Sequence, residues 1–195
     1  MKNFKLTVFF VVFGLILATG CNNQRQQGVD LDRVLKIMSA TLTGVEQQAS
    51  VYNDDEIMTV FITQFRLDIN QANPKLHPQT IGATLQDDGS VLGYNDKNSD
   101  AKQDAGEGQL FKVEIDGANN RLIASEGSQV REHRFSGSGF LMGMLIGNML
   151  SRQRTAGVNP NSLSNKKVTA KQTTTKRKTT SARSRSRSGS YSRGK

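Results

Sequence analysis

The sequence predicts a small α+β domain in which two N-terminal helices pack on an antiparallel sheet, followed by a short Gly-rich apolar helix and a disordered basic tail. Three observations predict this fold class. Apolar residues recur at helical spacing up to residue 69, the pattern becomes strand-like beyond Pro78, and almost nothing apolar follows residue 162. With 195 residues, the chain can hold one such domain plus appendages.

The first helix is predicted to begin at Asp30, whose side chain suits an N-cap. Behind it, apolar residues recur at steps of three and four, as one face of a helix requires. They are Val34, Leu35, Met38, Leu42 and Val45. This stripe is the expected core face of the helix.

A second helix is predicted to end near Ile69, with Asp54 or Asp55 as its N-cap and Pro74 just beyond its C-terminus. Within it, the stretch VFITQFRL is β-branched and aromatic and would also suit a strand. A helix is favoured because the apolar face persists for three turns. That face comprises Met58, Phe61, Ile62, Phe65 and Ile69.

Short strand-like segments follow Pro78 and are bounded by turn residues. In the clearest of them, apolar residues alternate with Lys112 and Glu114. Asp88-Gly89 and Asp116-Gly117 are hairpin turn signals. The predicted strands are 81–85, 90–94, 110–116, 121–125 and 129–135, the last one at an edge of the sheet.

The first twenty residues have the features of a secretory signal peptide. Lys2 and Lys5 form a basic n-region, and 6–17 is an apolar run of twelve residues. As a helix this run is about 18 Å long, which is too short for a hydrocarbon core of about 30 Å. It therefore suits the h-region of a signal peptide rather than a membrane span.

The apolar run ends in Ala18-Thr19-Gly20-Cys21, which resembles the lipobox of bacterial lipoproteins, with Ala18 where leucine is commoner. The resemblance implies cleavage before Cys21, acylation of that cysteine with fatty acids such as palmitate, and a place in the bacterial cell envelope. Because Asn22 is not the aspartate that retains lipoproteins in the inner membrane, it also implies the outer membrane in a Gram-negative cell. The alternative is an uncleaved anchor, or a plain signal followed by an incidental cysteine.

Cys21 is the only cysteine, so it can form no disulfide within the chain. Two or more acyl chains would anchor the protein stably, whereas a single chain would hold it only marginally. The polar residues behind it are expected to be a flexible tether. The sequence thus divides into a signal peptide (1–20), a lipidated tether (21–29) and a folded domain (30–136).

Charge is unevenly distributed along the mature chain. Residues 151–195 hold thirteen of the 26 Lys and Arg residues and no acidic residue, a charge of +13. Residues 22–150 hold eleven basic residues and all 17 acidic ones, a charge of −6. Low hydrophobicity combined with high like charge predicts that 152–195 is disordered.

The chain ends in SARSRSRSGSYSRGK, in which Arg183, Arg185, Arg187 and Arg193 are candidate anion-binding residues. Guanidinium groups bind phosphate and carboxylate oxygens through charge-assisted hydrogen bonds. The expected partners are anionic lipids or polymers of the envelope. Three alternatives stay open: a solvated tail without a dedicated partner, a tail that folds back on the acidic body, and nucleic acid, whose binding would be salt-sensitive.

Between the domain and the tail, 137–151 is predicted to form a short apolar helix. Gly139, Gly143 and Gly147 would share one face of it, in a pattern that resembles the glycine zipper of membrane-associated helices. Its apolar part is about 16 Å long as a helix, too short for a lone span. Self-association or insertion into one leaflet is the favoured interpretation, and a helix tucked against the core is the alternative.

Residues 96–107, DKNSDAKQDAGE, resemble an EF-hand loop, which makes calcium a candidate cofactor. Three departures from that pattern matter: Ala101 replaces the glycine of the sharp turn, Gln103 replaces an apolar residue, and no helix clearly flanks the loop. The alternative is a solvated connection between strands. The residues at the ligand positions are Asp96, Asn98, Asp100, Lys102 (through its carbonyl), Asp104 and Glu107.

No catalytic motif is evident. The two histidines, His77 and His133, have no serine, cysteine or carboxylate at the spacing of a catalytic triad or a HExxH metal site. We therefore expect a non-enzymatic structural or interaction role in the envelope. The alternative function is an exported binding module for calcium or nucleic acid.

Overall fold

The structure, a computed structural model, describes residues 28–135 and 143–170. It confirms a mixed α+β fold in which two helices precede a five-stranded antiparallel sheet and short helices follow it. Each strand pairs with the next one in sequence. The helices are α1 (Leu31–Glu46), α2 (Asp54–Gln71), α3 (Met144–Thr155) and α4 (Pro160–Ser164), with a 3₁₀ turn at Ala49–Val51. The strands are β1 (Ile81–Leu85), β2 (Val91–Asn95), β3 (Gln109–Asp116), β4 (Arg121–Glu126) and β5 (Gln129–Arg134).

The first two helices each begin at a side chain that accepts backbone hydrogen bonds. As predicted, Asp30 is the N-cap of α1. The N-cap of α2 is Asn53, so the prediction of Asp54 or Asp55 is wrong. Asn53 accepts from the amide of Glu56, whose carboxylate accepts from Asn53 N in return. The two aspartates instead occupy the first turn, where the helix dipole favours negative charge.

The two helices cover one face of the sheet, and the core lies between the helices and that face. α1 lies over β4 and β5, and α2 lies over β1. Phe65 of α2 stacks on Phe61 at 6.1 Å between ring centroids and meets Phe111 of β3 edge-on at 6.5 Å. The predicted apolar stripes are buried, except that Ile62 is partly exposed. Burial contributes roughly 1.5–3 kcal/mol for each large apolar side chain and so holds the helices on the sheet.

The apolar segment after the sheet forms a helix, but its bounds differ from the predicted 137–151. α3 begins only at Met144, because Gly143 has an extended backbone and is the N-cap, and it continues to Thr155. Of the three glycines, Gly147 alone is observed within a helix, and Gly139 lies outside the described residues.

The buried face of α3 packs against its own domain. Leu145, Ile146 and Met149 are buried in the core. Glu46, at the end of α1, accepts from the amides of Met144 and Leu145 at 2.6 and 3.0 Å and thereby caps α3. This arrangement corresponds to the alternative interpretation, in which the helix packs against the core. Contact of the glycines with a membrane or with a second copy of the chain stays a prediction. Within 28–135 and 143–170, no helix has the length and apolar character needed to span a bilayer.

Residues 152–170 are folded, which corrects their assignment to a disordered tail. The first of them complete α3, where Gln153 donates to the carbonyl of Ile115 at 3.0 Å. α4 follows, and its Leu163 is buried. The prediction was wrong because it considered local composition alone, whereas side chains of the sheet hold this polar segment. Residues 171–195 lie outside the described residues, and the term basic tail is used for them from here on.

The buried guanidinium of Arg121 attaches α4 to the sheet. It pairs with Asp116 at 2.8 Å and with Glu132, and its Nη2 donates to the carbonyls of Leu163 and Ser164 at 2.9 and 3.1 Å. The Arg121 side chain is only 5% exposed. Because a buried charge without partners costs several kcal/mol, these contacts fix the position of α4.

The two ends of the sheet have different surroundings. At one end, the β1–β2 turn at Gly89 and the β3–β4 turn at Gly117 pack against α3. The other end carries the β2–β3 connection (96–108) and the β4–β5 turn (127–128), together with the start of β1. We refer to it as the loop end.

The carboxylates around Arg121 are expected to make stability fall in acid. Burial alone would raise the pKa of Asp116, but hydrogen bonds from Asn119 and Arg121 outweigh it and place the pKa below the ordinary 3.8. Hydrogen bonds from Arg134 and Arg121 lower the pKa of Glu132 below 4.5. Because both pKa values are depressed in the folded state, the stabilisation is present above about pH 4.5 and is lost as the pH falls through the folded-state values.

Urea denaturation of wild type and Arg121→Met between pH 7 and pH 2 measures this effect. At pH 7 the variant is expected to lose about 3–5 kcal/mol of unfolding free energy, because two carboxylates lose their buried partner. Its stability is also expected to decline less steeply below pH 4.5. Parallel pH profiles for the two proteins would contradict the role of Arg121.

Candidate functional site

The predicted calcium loop connects β2 to β3 at the loop end, and two buried carboxylates hold it closed. Oδ2 of Asp96 accepts from Ala101 N at 3.0 Å. Oε1 and Oε2 of Glu107 accept from Lys97 N and Asp104 N at 2.7 and 3.0 Å. Asp96 and Glu107 are 3% and 8% exposed, so these charge-assisted hydrogen bonds are shielded from water.

The other predicted ligands are exposed and form hydrogen bonds within the loop. Asn98 accepts from Asp100 N at 3.2 Å and donates to Asp104 Oδ2 at 2.9 Å. Asp100 accepts from Lys102 N at 2.8 Å. Ala101 has a φ of 64°, so this alanine adopts the left-handed backbone at the position where an EF-hand has glycine.

The acidic side chains of this loop do not converge on one point. Within 28–135 and 143–170, no three His, Cys, Asp or Glu side chains are arranged so that they could hold a metal ion. The flanking elements are strands, whereas an EF-hand has helices. Calcium binding therefore stays a prediction. What the hydrogen bonds do show is a closed loop that forms one wall of a neighbouring cavity.

That cavity is open, has a volume of about 680 Å³ and lies at the loop end. Three parts of the chain line it: the second half of α2, the connection 75–81 that leads into β1, and the first part of the loop, 96–101. Asn70 joins two of these walls, because its side chain donates to Ile81 O at 2.8 Å and accepts from Ile81 N at 2.9 Å.

Cationic side chains dominate the charge of the cavity. Arg66, Lys75 and Lys97 line it, against a single lining carboxylate, that of Asp96. Arg66 donates to Ala101 O at 3.1 Å and to a threonine hydroxyl of α2, which leaves other N–H groups of its guanidinium for a further acceptor. Within the described part of the chain, the observed ion pairs include none of the three cations. A concave surface with excess positive charge favours an anionic ligand.

The cavity adjoins the point where the described chain enters the domain. Gly28 lies against the carboxylate of Glu126. Burial raises the pKa of Glu126. Arg33, near the start of α1, donates to Pro74 O at 2.7 Å, so the connection 75–81 that lines the cavity lies beside the chain entry.

Neither histidine has a catalytic partner among the described residues. Nδ1 of His77 accepts from Gln79 N at 3.2 Å. His133 meets Phe135 edge-on at 5.2 Å between ring centroids. In 28–135 and 143–170, neither ring is hydrogen-bonded to a carboxylate, serine or cysteine. The expectation of a non-enzymatic role stays a prediction.

Sequence reasoning missed the cavity because no motif or period relates its cations; the packing of α2 beside the loop brings them together. No protein-family model matches the chain, and no curated protein or solved structure matches it either. The predicted site residues outside the described ranges are Cys21, Gly139, Arg183, Arg185, Arg187 and Arg193.

Glu107→Gln is expected to destabilise the protein even without calcium. A neutral amide has one acceptor oxygen in place of the two that close the loop. We expect a loss of about 1–3 kcal/mol in urea denaturation with EDTA present, because buried backbone amides lose a charged acceptor. Asp104→Asn, an exposed change in the same loop, is the matched control and should cost about 0.5 kcal/mol or less.

Equal stability of wild type and Glu107→Gln in EDTA would contradict the closing role of Glu107. A calcium titration of the same two proteins tests the calcium prediction separately. Calcium that raises the melting temperature of wild type but not of Glu107→Gln would support it, and an unchanged wild-type melting temperature would argue against it.

Proposed function

We propose that this protein is a lipid-anchored, non-enzymatic component of the bacterial cell envelope. Acylated Cys21 attaches it to a membrane, the outer membrane in a Gram-negative cell, and the basic tail contacts an anionic surface. The lipobox-like Ala18-Thr19-Gly20-Cys21 supports the anchor. The basic tail holds nine Lys and Arg residues and no acidic residue, which supports a contact with anions.

The observation that carries the proposal is that both ends of the described chain leave the domain at the loop end. Gly28 lies against Glu126 at the end of β4. Thr169 N donates to the carbonyl of Val130 at 3.0 Å, near the beginning of β5. Val130 is in turn the cross-strand partner of Ser125. The tether and the basic tail therefore attach to the same end of the domain.

Arg131 contacts residues near both ends of the described chain. Its Nε lies 3.8 Å from a carboxylate oxygen of Asp32, at the start of α1. Its Nη1 donates to the carbonyl of Thr169 at 2.6 Å. Both ends of the described chain therefore lie beside the neighbouring strands β4 and β5, which are about 4.8 Å apart.

This arrangement keeps the basic tail near the membrane that holds the anchor. Cys21 and Gly28 are seven residues apart, which span at most about 25 Å. Each Lys or Arg close to an anionic membrane surface contributes about 1 kcal/mol, and the effect falls off within a Debye length. A polybasic segment beside the acyl anchor adds an electrostatic attachment to that of the acyl chains.

Cys21→Ser is expected to remove the attachment through acyl chains, because the thiol is the proposed site of acylation. Intact mass spectrometry of the wild-type protein from its native membrane should show acyl chains on residue 21. In detergent phase partition the variant should move to the aqueous phase. An unmodified Cys21 in the wild-type protein would contradict the anchor.

Neutralising the four arginines of the basic tail is expected to weaken binding to anionic membranes. In the mature chain with Cys21→Ser, replacing Arg183, Arg185, Arg187 and Arg193 by glutamine should reduce partition onto phosphatidylglycerol vesicles by about tenfold or more. Replacing Ser184, Ser186 and Ser188 by alanine is the matched control and should change it less than about twofold.

Two results would contradict the role of the basic tail. One is equal binding of the arginine and serine variants. The other is binding to duplex DNA that is tighter than binding to the vesicles at the same salt concentration, which would favour the nucleic-acid alternative.

A further inference from the structure

We propose that the cavity at the loop end binds the phosphate-bearing headgroup of an anionic phospholipid. Its orientation towards a bilayer rests on the lipid anchor proposed above. Its preference for an anionic and amphipathic ligand rests on the cavity itself. The bound group is a lipid of the same membrane that holds the anchor.

The charge of the cavity selects an anion. Three cations, Arg66, Lys75 and Lys97, line the cavity together with one carboxylate, Asp96, whose Oδ2 accepts from the amide of Ala101. A guanidinium can donate two parallel hydrogen bonds to a phosphate, and ammonium groups in the same cavity add favourable charge. The cavity volume of about 680 Å³ lies in the range of small-molecule sites.

Two of these cations are already held in place. Arg66 is fixed by its hydrogen bond to Ala101 O at 3.1 Å, and the ammonium of Lys97 donates to Gly106 O at 2.7 Å. Both contacts are made to the loop that Asp96 and Glu107 close. Side chains that are positioned before a ligand arrives lose less conformational entropy when they bind it.

Apolar residues beside the cations favour a lipid over free phosphate. Leu67 lines the cavity although it is 49% exposed, and Leu76 and Pro78 line it as well. Inorganic phosphate would leave this apolar surface in water. The glycerol and the first acyl carbons of a phospholipid would cover it, which is the amphipathic match found at membrane-contact surfaces.

The place of the cavity in the fold agrees with a ligand in the bilayer. Lys75 in the cavity wall follows Pro74, whose carbonyl accepts from Arg33, near the start of α1, at 2.7 Å. The seven-residue connection to Cys21 can therefore bring the cavity to the headgroup layer, since it spans at most about 25 Å. α3 packs at the opposite end of the sheet and does not obstruct this approach.

The test measures partition of the mature chain, residues 21–195 with Cys21→Ser, onto phosphatidylglycerol and phosphatidylcholine vesicles. Lys75→Gln and Lys97→Gln should each reduce binding to phosphatidylglycerol about fivefold, the factor expected for one cation at an anionic surface. Lys102→Gln is the matched control, because Lys102 is an exposed lysine of the same loop that does not line the cavity. It should reduce binding less than about twofold. Arg66→Gln is a weaker test, because it also removes a hydrogen bond that holds the loop.

An equal loss of vesicle binding for Lys97→Gln and Lys102→Gln would overturn the proposal, because the net charge of the chain alone would then explain binding. Equal binding of wild type to the two kinds of vesicle would overturn it too. Competition with glycerol 3-phosphate distinguishes a lipid headgroup from a soluble phosphate ester. If the ligand is a lipid, about 10 mM glycerol 3-phosphate should not displace the chain from vesicles, because a ligand with so few non-hydrogen atoms binds weakly. Displacement would assign the cavity to a soluble phosphate ester and overturn the lipid.

The failure of this inference can be distinguished from failure of the proposed function. If mass spectrometry finds Cys21 unmodified, the anchor fails, yet the vesicle measurements still decide what the cavity binds. If Cys21 is acylated and the cavity variants bind like the Lys102 control, the anchor stands and the headgroup site is refuted.

Discussion

The buried guanidinium of Arg121 joins parts of the chain that are far apart in sequence. It pairs with Asp116 at the end of β3 and with Glu132 of β5, and it donates to the carbonyls at the end of α4. These partners offset the cost of removing a charge from water, and losing any of them leaves a buried group unsatisfied. The position of α4 depends on this side chain, whereas Val130 and Arg131 hold Thr169, where the described chain leaves the domain.

Three features lie close together at the loop end, where the described chain also leaves the domain. The tether enters beside Glu126, the basic tail leaves beside Val130, and the cationic cavity lies next to the entry. Four of the thirteen basic residues after residue 150 belong to the folded domain, which leaves nine for the basic tail. Under the two proposals made above, the anchor, the basic tail and the cavity would contact the same membrane, and each would add a contact whose ligand is already at high local concentration.

The segment around Gly143 shows how the core determines the role of a short apolar stretch. Two helices on a five-stranded sheet cover one face of that sheet, and α3 closes the core at the end opposite the loop end by contacting α1, α2 and β3. Leu145 and Met149 are fully buried there. Ile146 is buried there as well, while the contact with another molecule that the spacing of the glycines suggested stays a prediction.

The sequence by itself determined the two helices, the strands and their hairpin turns, because periodicity, capping residues and turn signals act between neighbours in the chain. It also contains the lipobox-like motif and the charge of the basic tail, which are local as well. Only the tertiary structure decided that 152–170 is folded, that Arg66, Lys75 and Lys97 share a cavity, and that both ends of the described chain lie at the loop end. Those features depend on the packing of α2 beside the loop 96–108 and on the hydrogen bonds that Arg121 donates to α4. The residues involved carry no periodic signal, because distant contacts rather than local preferences hold them.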